Sequence, residues 1–262
     1  MPATLLSDRG VVEVSGAEAR AFLQGLVTCN MDAVSESAAQ FGALLTPQGK
    51  IITDFIISQQ GDSFFLDTPL VLMADLFKRL RLYKLRAQIT LTERTDLAVG
   101  ASWPEGSGIA DPRDRNLGWR LIAPRPQVEL LGQNEAAYEA LRVSVGVPKG
   151  GVDFAYGDAF PHDVNMDLIG GVDFRKGCYV GQEVVSRVQH RGTARRRILR
   201  VELTGPAEPG TPVMAGEIEI GTLGSSAGTK ALASIRTDKW ADAKEVATPV
   251  TIAGMAAQIL AL

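Results

Sequence analysis

Apolar residues recur along the chain with two periods, and the alternation between them predicts a mixed α and β fold. Leu5 to Val14 reads as a pair of short strands turning at Asp8-Arg9-Gly10. Ser15-Gly16-Ala17-Glu18 has the spacing of a capping box, and the helix that follows places Phe22, Leu23 and Leu26 on one face. Phe41 to Thr46, Ile51 to Ser58 and Ser63 to Leu66 are strand runs joined at Pro47-Gln48-Gly49-Lys50 and Gln60-Gly61-Asp62, so a β-meander is expected. Thr68-Pro69 offers an N-cap with proline in the first turn, and Leu70, Met73, Leu76, Phe77 and Leu80 follow at helical spacing. Strands from Arg86 to Thr92 and from Leu97 to Ser102 complete a split βαβ unit of the ferredoxin-like kind.

Pro104-Glu105-Gly106-Ser107-Gly108 breaks the pattern, and a second unit begins: a strand from Gly118 to Ile122, a helix from Glu135 to Val143, then a Gly/Pro-rich stretch from Gly146 to Gly151. From Gln182 to Arg191, Val184, Val185 and Val188 share one side of a helix, Glu183 and Arg187 stand four apart, and Gly192 supplies a stop. Beyond it the texture changes to short strands at Ile198 to Leu203, Ile218 to Leu223, Ala231 to Ile235, Val250 to Ile252 and Ala256 to Leu260. These predict a small barrel or sandwich, and hence two domains, 1–192 and 193–262.

Composition narrows the function classes. The 262 residues are 45% hydrophobic, enough to bury a large core, and a net charge of -3 gives no general attraction to nucleic acid or anionic membranes. The basic run Arg191, Arg195, Arg196, Arg197 and Arg200 departs from that average; it reads as a solvated helix end and edge strand, with phosphate binding as the alternative. Cys29 and Cys178, far apart, form no disulfide framework and fit a reducing cytosol, so a cytoplasmic protein is expected. No apolar run reaches the roughly 20 residues needed to cross a bilayer, and two Cys with two His offer no closely spaced metal set. A soluble, unprocessed chain without a metal of its own is the expectation.

Candidate chemistry concentrates at Lys176-Gly177-Cys178-Tyr179-Val180-Gly181-Gln182-Glu183, where a thiol, two glycines and a cation precede a helix. The helix N-terminus, Arg175 and Lys176 would favour a thiolate at Cys178. A thiol buried as a small hydrophobe is the structural alternative. The Gly-Lys-Ser/Thr ending of a phosphate loop is missing.

This string, followed by Val184-Val185-Ser186-Arg187, resembles the signature of the YgfZ-type folate-binding proteins, relatives of the glycine cleavage T-protein (aminomethyltransferase). It is accompanied in order by Phe22 to Thr28, Gly42 to Lys50, Tyr83-Lys84-Leu85-Arg86 and Asp111-Pro112-Arg113, so the resemblance spans nearly the whole chain. It implies an α+β, T-protein-like body of two ferredoxin-like modules around a central cavity, followed by a small C-terminal β-barrel. It also implies tetrahydrofolate or another reduced folate as ligand, and a role in assembly or repair of iron–sulfur enzymes, and through them in tRNA modification, by transient contact with those clients. Cys178 and Lys176 would carry the chemistry; Asp163, Asn165, Gly177, Tyr179, Gly181, Gln182, Glu183 and Arg86 would surround the folate. Asp163 stands where the family has a glutamate, and the T-protein's catalytic aspartate maps onto Thr53. The alternatives are an aminomethyltransferase using Asp54, a cysteine hydrolase or transferase using His162 or His190 as base, and an RNA or protein module built on the arginine run.

Overall fold

The computed structural model describes residues 2–192 and 194–260, without the Arg191 side chain. In chain order its elements are β1 (Ala3–Leu5), β2 (Arg9–Ser15), α1 (Ala19–Gln24), β3 (Gln40–Leu45), β4 (Ile51–Gln60), β5 (Ser63–Pro69), α2 (Leu70–Lys84) and β6 (Thr90–Glu93). There follow β7 (Leu97–Ser102), β8 (Ile109–Ala110), β9 (Trp119–Pro124), α3 (Arg125–Glu129), α4 (Glu135–Val145) and α5 (Gln182–Arg191). The rest are β10 (Arg196–Leu203), β11 (Pro212–Ala215), β12 (Ile218–Ala227), β13 (Lys230–Arg236), α6 (Thr237–Glu245), β14 (Val250–Ile252) and β15 (Met255–Ile259).

β2 is buried on both faces, which sets the architecture of the body. Val12 and Val14 pack with Leu23 of α1 and Leu76 and Leu80 of α2, while Val11 turns the other way against Phe65, Val99 and Tyr138. The first sheet is antiparallel in the order β3-β4-β5-β2-β6; its last four strands, with α1 and α2, have the split βαβ arrangement expected. The second sheet, β1-β7-β9-β8, lies across β2 and carries α3 and α4. Six strands, β10-β13-β12-β11-β14-β15, close into a barrel around Leu199, Val201, Val213, Ile220 and Leu223, which leaves the barrel no free sheet edge. Body and barrel share a further core: Phe41, Ala43 and Ile51 from the first sheet, Val143 from α4, Val185 from α5, and Ile198 and Leu232 from the barrel.

Several local expectations are corrected. Leu5 to Val14 is no hairpin: β1 pairs with β7, in register Leu5↔Gly100, because Leu6 is buried in the second module and its N–H donates to Val99. Ser15 stays in β2; Glu18 precedes α1, and its carboxylate takes the Gln88 N–H. Thr68 does not cap α2, because its hydroxyl is 3.1 Å from that of Thr53. β6 begins at Thr90, since Leu85 leaves α2 at φ 44 and the chain must turn again before it can pair. β11 and α6 were not anticipated.

Between the two sheets runs a buried chain of charges. Asp67 of β5 accepts from Arg9 at 2.5 Å and from Arg120 of β9 at 2.8 Å. Arg120 continues to Asp111 at 3.1 Å, and Arg113 donates to both oxygens of Asp111 at 2.9 and 2.7 Å. Both carboxylates are almost fully buried. Beside them, between the sheets, a central cavity of about 70 Å³ is lined by Ser58, Asp67, Ile109 and Arg120.

Removing one partner from such a network leaves unpaired buried charge, so Asp67→Ala is expected to cost about 3–5 kcal/mol in urea unfolding. A loss under about 1 kcal/mol would show that water reaches the arginines. Burial alone would raise the Asp111 carboxyl, but Arg113 and Arg120 outweigh it and hold the group well below the usual carboxylate range. A carboxyl depressed on folding stabilises above its unfolded pKa of about 3.9 and loses that contribution as pH falls toward the folded value. The stability gap between wild type and Asp111→Asn is therefore expected to narrow as pH drops from about 4 toward 2. An equal gap at both ends would show that the carboxylate charge contributes nothing.

Candidate functional site

Three of the strings singled out in the sequence meet in space. Thr28, after α1, is fully buried; its hydroxyl donates to Gly171 O at 2.6 Å and accepts from Ala43 N–H at 2.9 Å, while its carbonyl accepts from Asp173 N–H. Lys176 reaches into the same segment and donates to Val27 O at 2.6 Å and Cys29 O at 2.7 Å. Burial depresses this ammonium, opposed by Cys29 and Asp173. On the other side Gly181, at φ 84, abuts the turn Thr46–Lys50: a Cβ there would lie 2.6 Å from Thr46 O and 3.1 Å from Gly49 Cα. Only glycine allows that approach with that backbone.

These contacts clamp the loop at Lys176 and Tyr179 and present the residues between. Tyr179 is buried in the shared core, its hydroxyl raised to about 12 by burial, and the Lys176 ammonium lies 5.4 Å from its ring. Gly177 would meet nothing within 4 Å if given a Cβ, and Cys178 is exposed. The other cysteine, Cys29, is buried against Gly42, and burial pushes its thiol up to about 12. Gln182 is the first residue of α5, and Glu183 pairs with Arg187 at 2.5 Å on the exposed face. Lys176 thus serves as a strut whose charge is spent on carbonyls, a role its position beside Cys178 did not reveal. Arg86 is exposed just past the end of α2.

Asp163 and Asn165 do not share a cavity. Pro161–Val164 form a 3-10 turn that Asn165 ends in the left-handed region at φ 63. Asp163 caps Phe160 N–H at 3.2 Å, burial raises its carboxyl, and it lines a cavity of about 310 Å³ with His162, Arg195, Arg196 and Arg236. Asn165 is 2% exposed and lines a second cavity, of about 430 Å³, with Asp114, Ser144, Leu168, Ile198 and Arg200. Its Nδ2 donates to Ile198 O at 2.6 Å, while its Oδ1 is buried without a partner among the described residues. Strand β10 separates the two cavities. Arg196, Ile198 and Arg200 alternate onto one face, with Ile198 packed into the body and an arginine at either cavity.

The arginine run is therefore no single patch. Arg197 is fixed by Asp167 at 2.5 and 2.8 Å and by His162 O, so it is a structural tie instead of a solvated edge. The Arg191 side chain lies outside the described residues. Gln24, like Thr28, is structural: it accepts from Met31 N–H at 2.7 Å.

The hydrolase alternative loses its base. His162 is buried with Nε2 3.1 Å from Gln189 Oε1, and His190 stands about 12 Å along α5 from its start. For aminomethyl transfer, Thr53 is fully buried against Thr68, and Asp54 accepts the Tyr156 hydroxyl at 2.6 Å. Burial and Asp54 together hold that phenol far above its ordinary value, so it stays a donor and occupies the carboxylate.

Comparison with known proteins adds the following. The CAF17 C-terminal beta-barrel domain family matches residues 195–260. An iron-sulfur cluster assembly factor IBA57 homolog, mitochondrial, of Pyricularia oryzae is 34% identical over 75% of this chain and 56% of its own length. The mouse iron-sulfur cluster assembly factor IBA57, mitochondrial, is 30% identical over 85% of this chain and 72% of its own. The chain thus spans little more than half of the fungal relatives, 59% for that of Chaetomium globosum. The crystal structure of the glycine cleavage system aminomethyltransferase T from Bartonella henselae superposes with a TM-score of 0.75 at 16% identity, covering 99% of this chain and 85% of that one, which establishes a common fold. The relatives' names overturn the cytoplasmic expectation, since all three are mitochondrial factors. Cysteine count reports a reducing environment and does not single out the cytosol.

Burial separates the two thiols. Iodoacetamide is expected to label Cys178 in the native protein and Cys29 only after unfolding, read by peptide mass spectrometry. Cys178→Ser should change stability by no more than about 0.5 kcal/mol, and a larger loss would mean that the thiol is packed.

Proposed function

This chain belongs to the family of IBA57 iron–sulfur cluster assembly factors, and on that footing we propose that it is a folate-binding assembly factor of the YgfZ type, presenting Cys178 to iron–sulfur client enzymes. The folate reading rests on one observation: the buried Oδ1 of Asn165, unpaired among the described residues, in the wall of the 430 Å³ cavity between body and barrel. A buried acceptor without a donor costs about 1–3 kcal/mol, and a ligand N–H would offset that. A pterin has such N–H groups along its edge and two flat faces for Leu168 and Ile198, while Arg200, which has no ion pair among the described residues, suits the glutamate carboxylates. A bound reduced folate supplies a pterin able to carry one-carbon units or donate electrons. The central cavity, at about 70 Å³, is well under the roughly 300–1,000 Å³ of ligand pockets, which favours the larger site.

The aminomethyltransferase reading is weaker on this chemistry. A threonine hydroxyl cannot take a proton at neutral pH or steady a developing cation as a carboxylate does, and Asp54 is already engaged by Tyr156. No ammonia release from an aminomethyl-lipoyl substrate with tetrahydrofolate is expected, and turnover at transferase rates would replace this assignment with that one.

Calorimetric titration of tetrahydrofolate tests the ligand. Asn165→Gly keeps a residue at ease in the left-handed region and should weaken binding about 5- to 100-fold, with Arg200→Gln also weaker and both variants folded. Absence of saturable binding by wild type removes folate from the reading. In cells lacking the protein, Cys178→Ser should fail to restore iron–sulfur enzyme activity despite normal folding; full restoration would show that the thiol is dispensable.

A further inference from the structure

The 310 Å³ cavity, at the start of the barrel, carries features that folate binding leaves unused. Arg196 of β10 and Arg236 of β13 are directly opposite each other in the antiparallel pair, and Arg195 precedes them on the same wall. Like charges placed opposite each other across two strands are destabilising. Asp238 takes Arg236 at 3.0 and 2.6 Å, but Arg195 and Arg196 have no ion pair among the described residues. The wall also holds His162, which is 2% exposed and whose buried Nδ1 has no partner among the described residues. The only carboxylate among the described lining residues, Asp163, turns back to the Phe160 N–H, and burial raises its carboxyl. Positive charge is thus gathered around an open pocket of about 310 Å³ with one aromatic wall, Phe160.

We infer that this cavity is a binding site for a small phosphomonoester, held by the Arg195, Arg196 and Arg236 guanidiniums. A phosphomonoester presents three terminal oxygens and about -1.5 to -2 charge at neutral pH, which forked guanidiniums bind in pairs. A nucleic-acid phosphodiester carries a single charge and offers two free oxygens, fewer than three guanidiniums can use. The ligand offsets the cross-strand repulsion, so binding here should raise the stability of the barrel where it meets the body. The inference is independent of the folate assignment, because Arg200 and Asn165 line the other cavity.

Inorganic phosphate and glycerol phosphate serve as probes, titrated at constant ionic strength against chloride and followed by calorimetry and thermal unfolding. Both are expected to bind saturably and raise the melting temperature of wild type. Arg196→Gln and Arg236→Gln should each weaken that binding about tenfold or more, as loss of a charge-assisted contact implies. Without phosphate, Arg196→Gln should melt no lower than wild type, since it relieves a like-charge pair, and its tetrahydrofolate titration should match that of wild type. The inference is overturned if phosphate does not saturate, if the variants respond as wild type does, or if a ten-nucleotide single-stranded RNA binds where neither phosphate does. A variant that melts early but retains phosphate affinity likewise overturns it, for its arginine would then be structural.

Discussion

Asp67 is the counter-ion on which the body's arrangement depends. It sits on β5 of the first sheet, takes Arg9 from β2 beside it and Arg120 from β9 of the second sheet, and is almost completely out of water. Arg9 follows directly on the stretch where the chain crosses from β1, in the second sheet, to β2, in the first. Its ion pair therefore pins the crossing as well as the sheets. Asp8, one residue earlier, pairs with Lys149 at 2.7 Å and ties the same corner to the segment leading toward the barrel. Buried ion pairs are weak evidence for stability, because desolvation offsets much of their attraction. What they do provide is a penalty for any packing of the two sheets that separates the partners.

With the sheets held, the segments flanking Cys178 act as struts. Thr28, Lys176 and Gly181 each use a side chain or a missing one to bring the loop against α1 and the Thr46–Lys50 turn. Tyr179 and Val185 then enter the core shared with Ile198 and Leu232. Lys176, Tyr179, Val180 and Gly181 are thus occupied in holding the loop, and what it holds out is a thiol. An exposed thiol confers no packing, and a frame that fixes Lys176 and Tyr179 on either side of it leaves its sulfur free.

Sequence reading recovered the elements whose signals are local. The Gln182–Arg191 helix with its Gly192 stop, the β3-β4-β5 meander and most of the barrel strands follow from periodicity, glycine and turn chemistry. It missed what depends on partners distant in sequence. Nothing local marks Arg9, Asp67 and Arg120 as one network, since they lie on different strands more than 50 residues apart, and β1 was drawn to β7, with Leu5 opposite Gly100, by the burial of Leu6. α6 escaped because its buried face is thin, little more than Trp240 and Ala243. At the site, the sequence left Cys178 open between a reactive and a buried thiol, and the inward turn of Lys176 and the split between Asp163 and Asn165 were not anticipated. A 3-10 turn ending in a left-handed residue sends side chains two apart to different sides, and neither feature has a signature in Pro161 to Asn165.

A shared T-protein fold does not carry function with it, so function here has to be sought at sites on the fold. Those sites converge on β10. Its odd positions, Leu199, Val201 and Leu203, fill the barrel, and its even ones, Arg196, Ile198 and Arg200, face the body. Ile198 contributes a packed side chain to the shared core and a carbonyl to Asn165, which leaves an arginine on either side of it with a cavity to fill. Two charged groups about 13 Å apart on one strand, each where the barrel meets the body, cannot be neutralised by one small ligand. Whatever occupies either cavity bears on the same strand, and so on how firmly the barrel is held against the frame that presents Cys178.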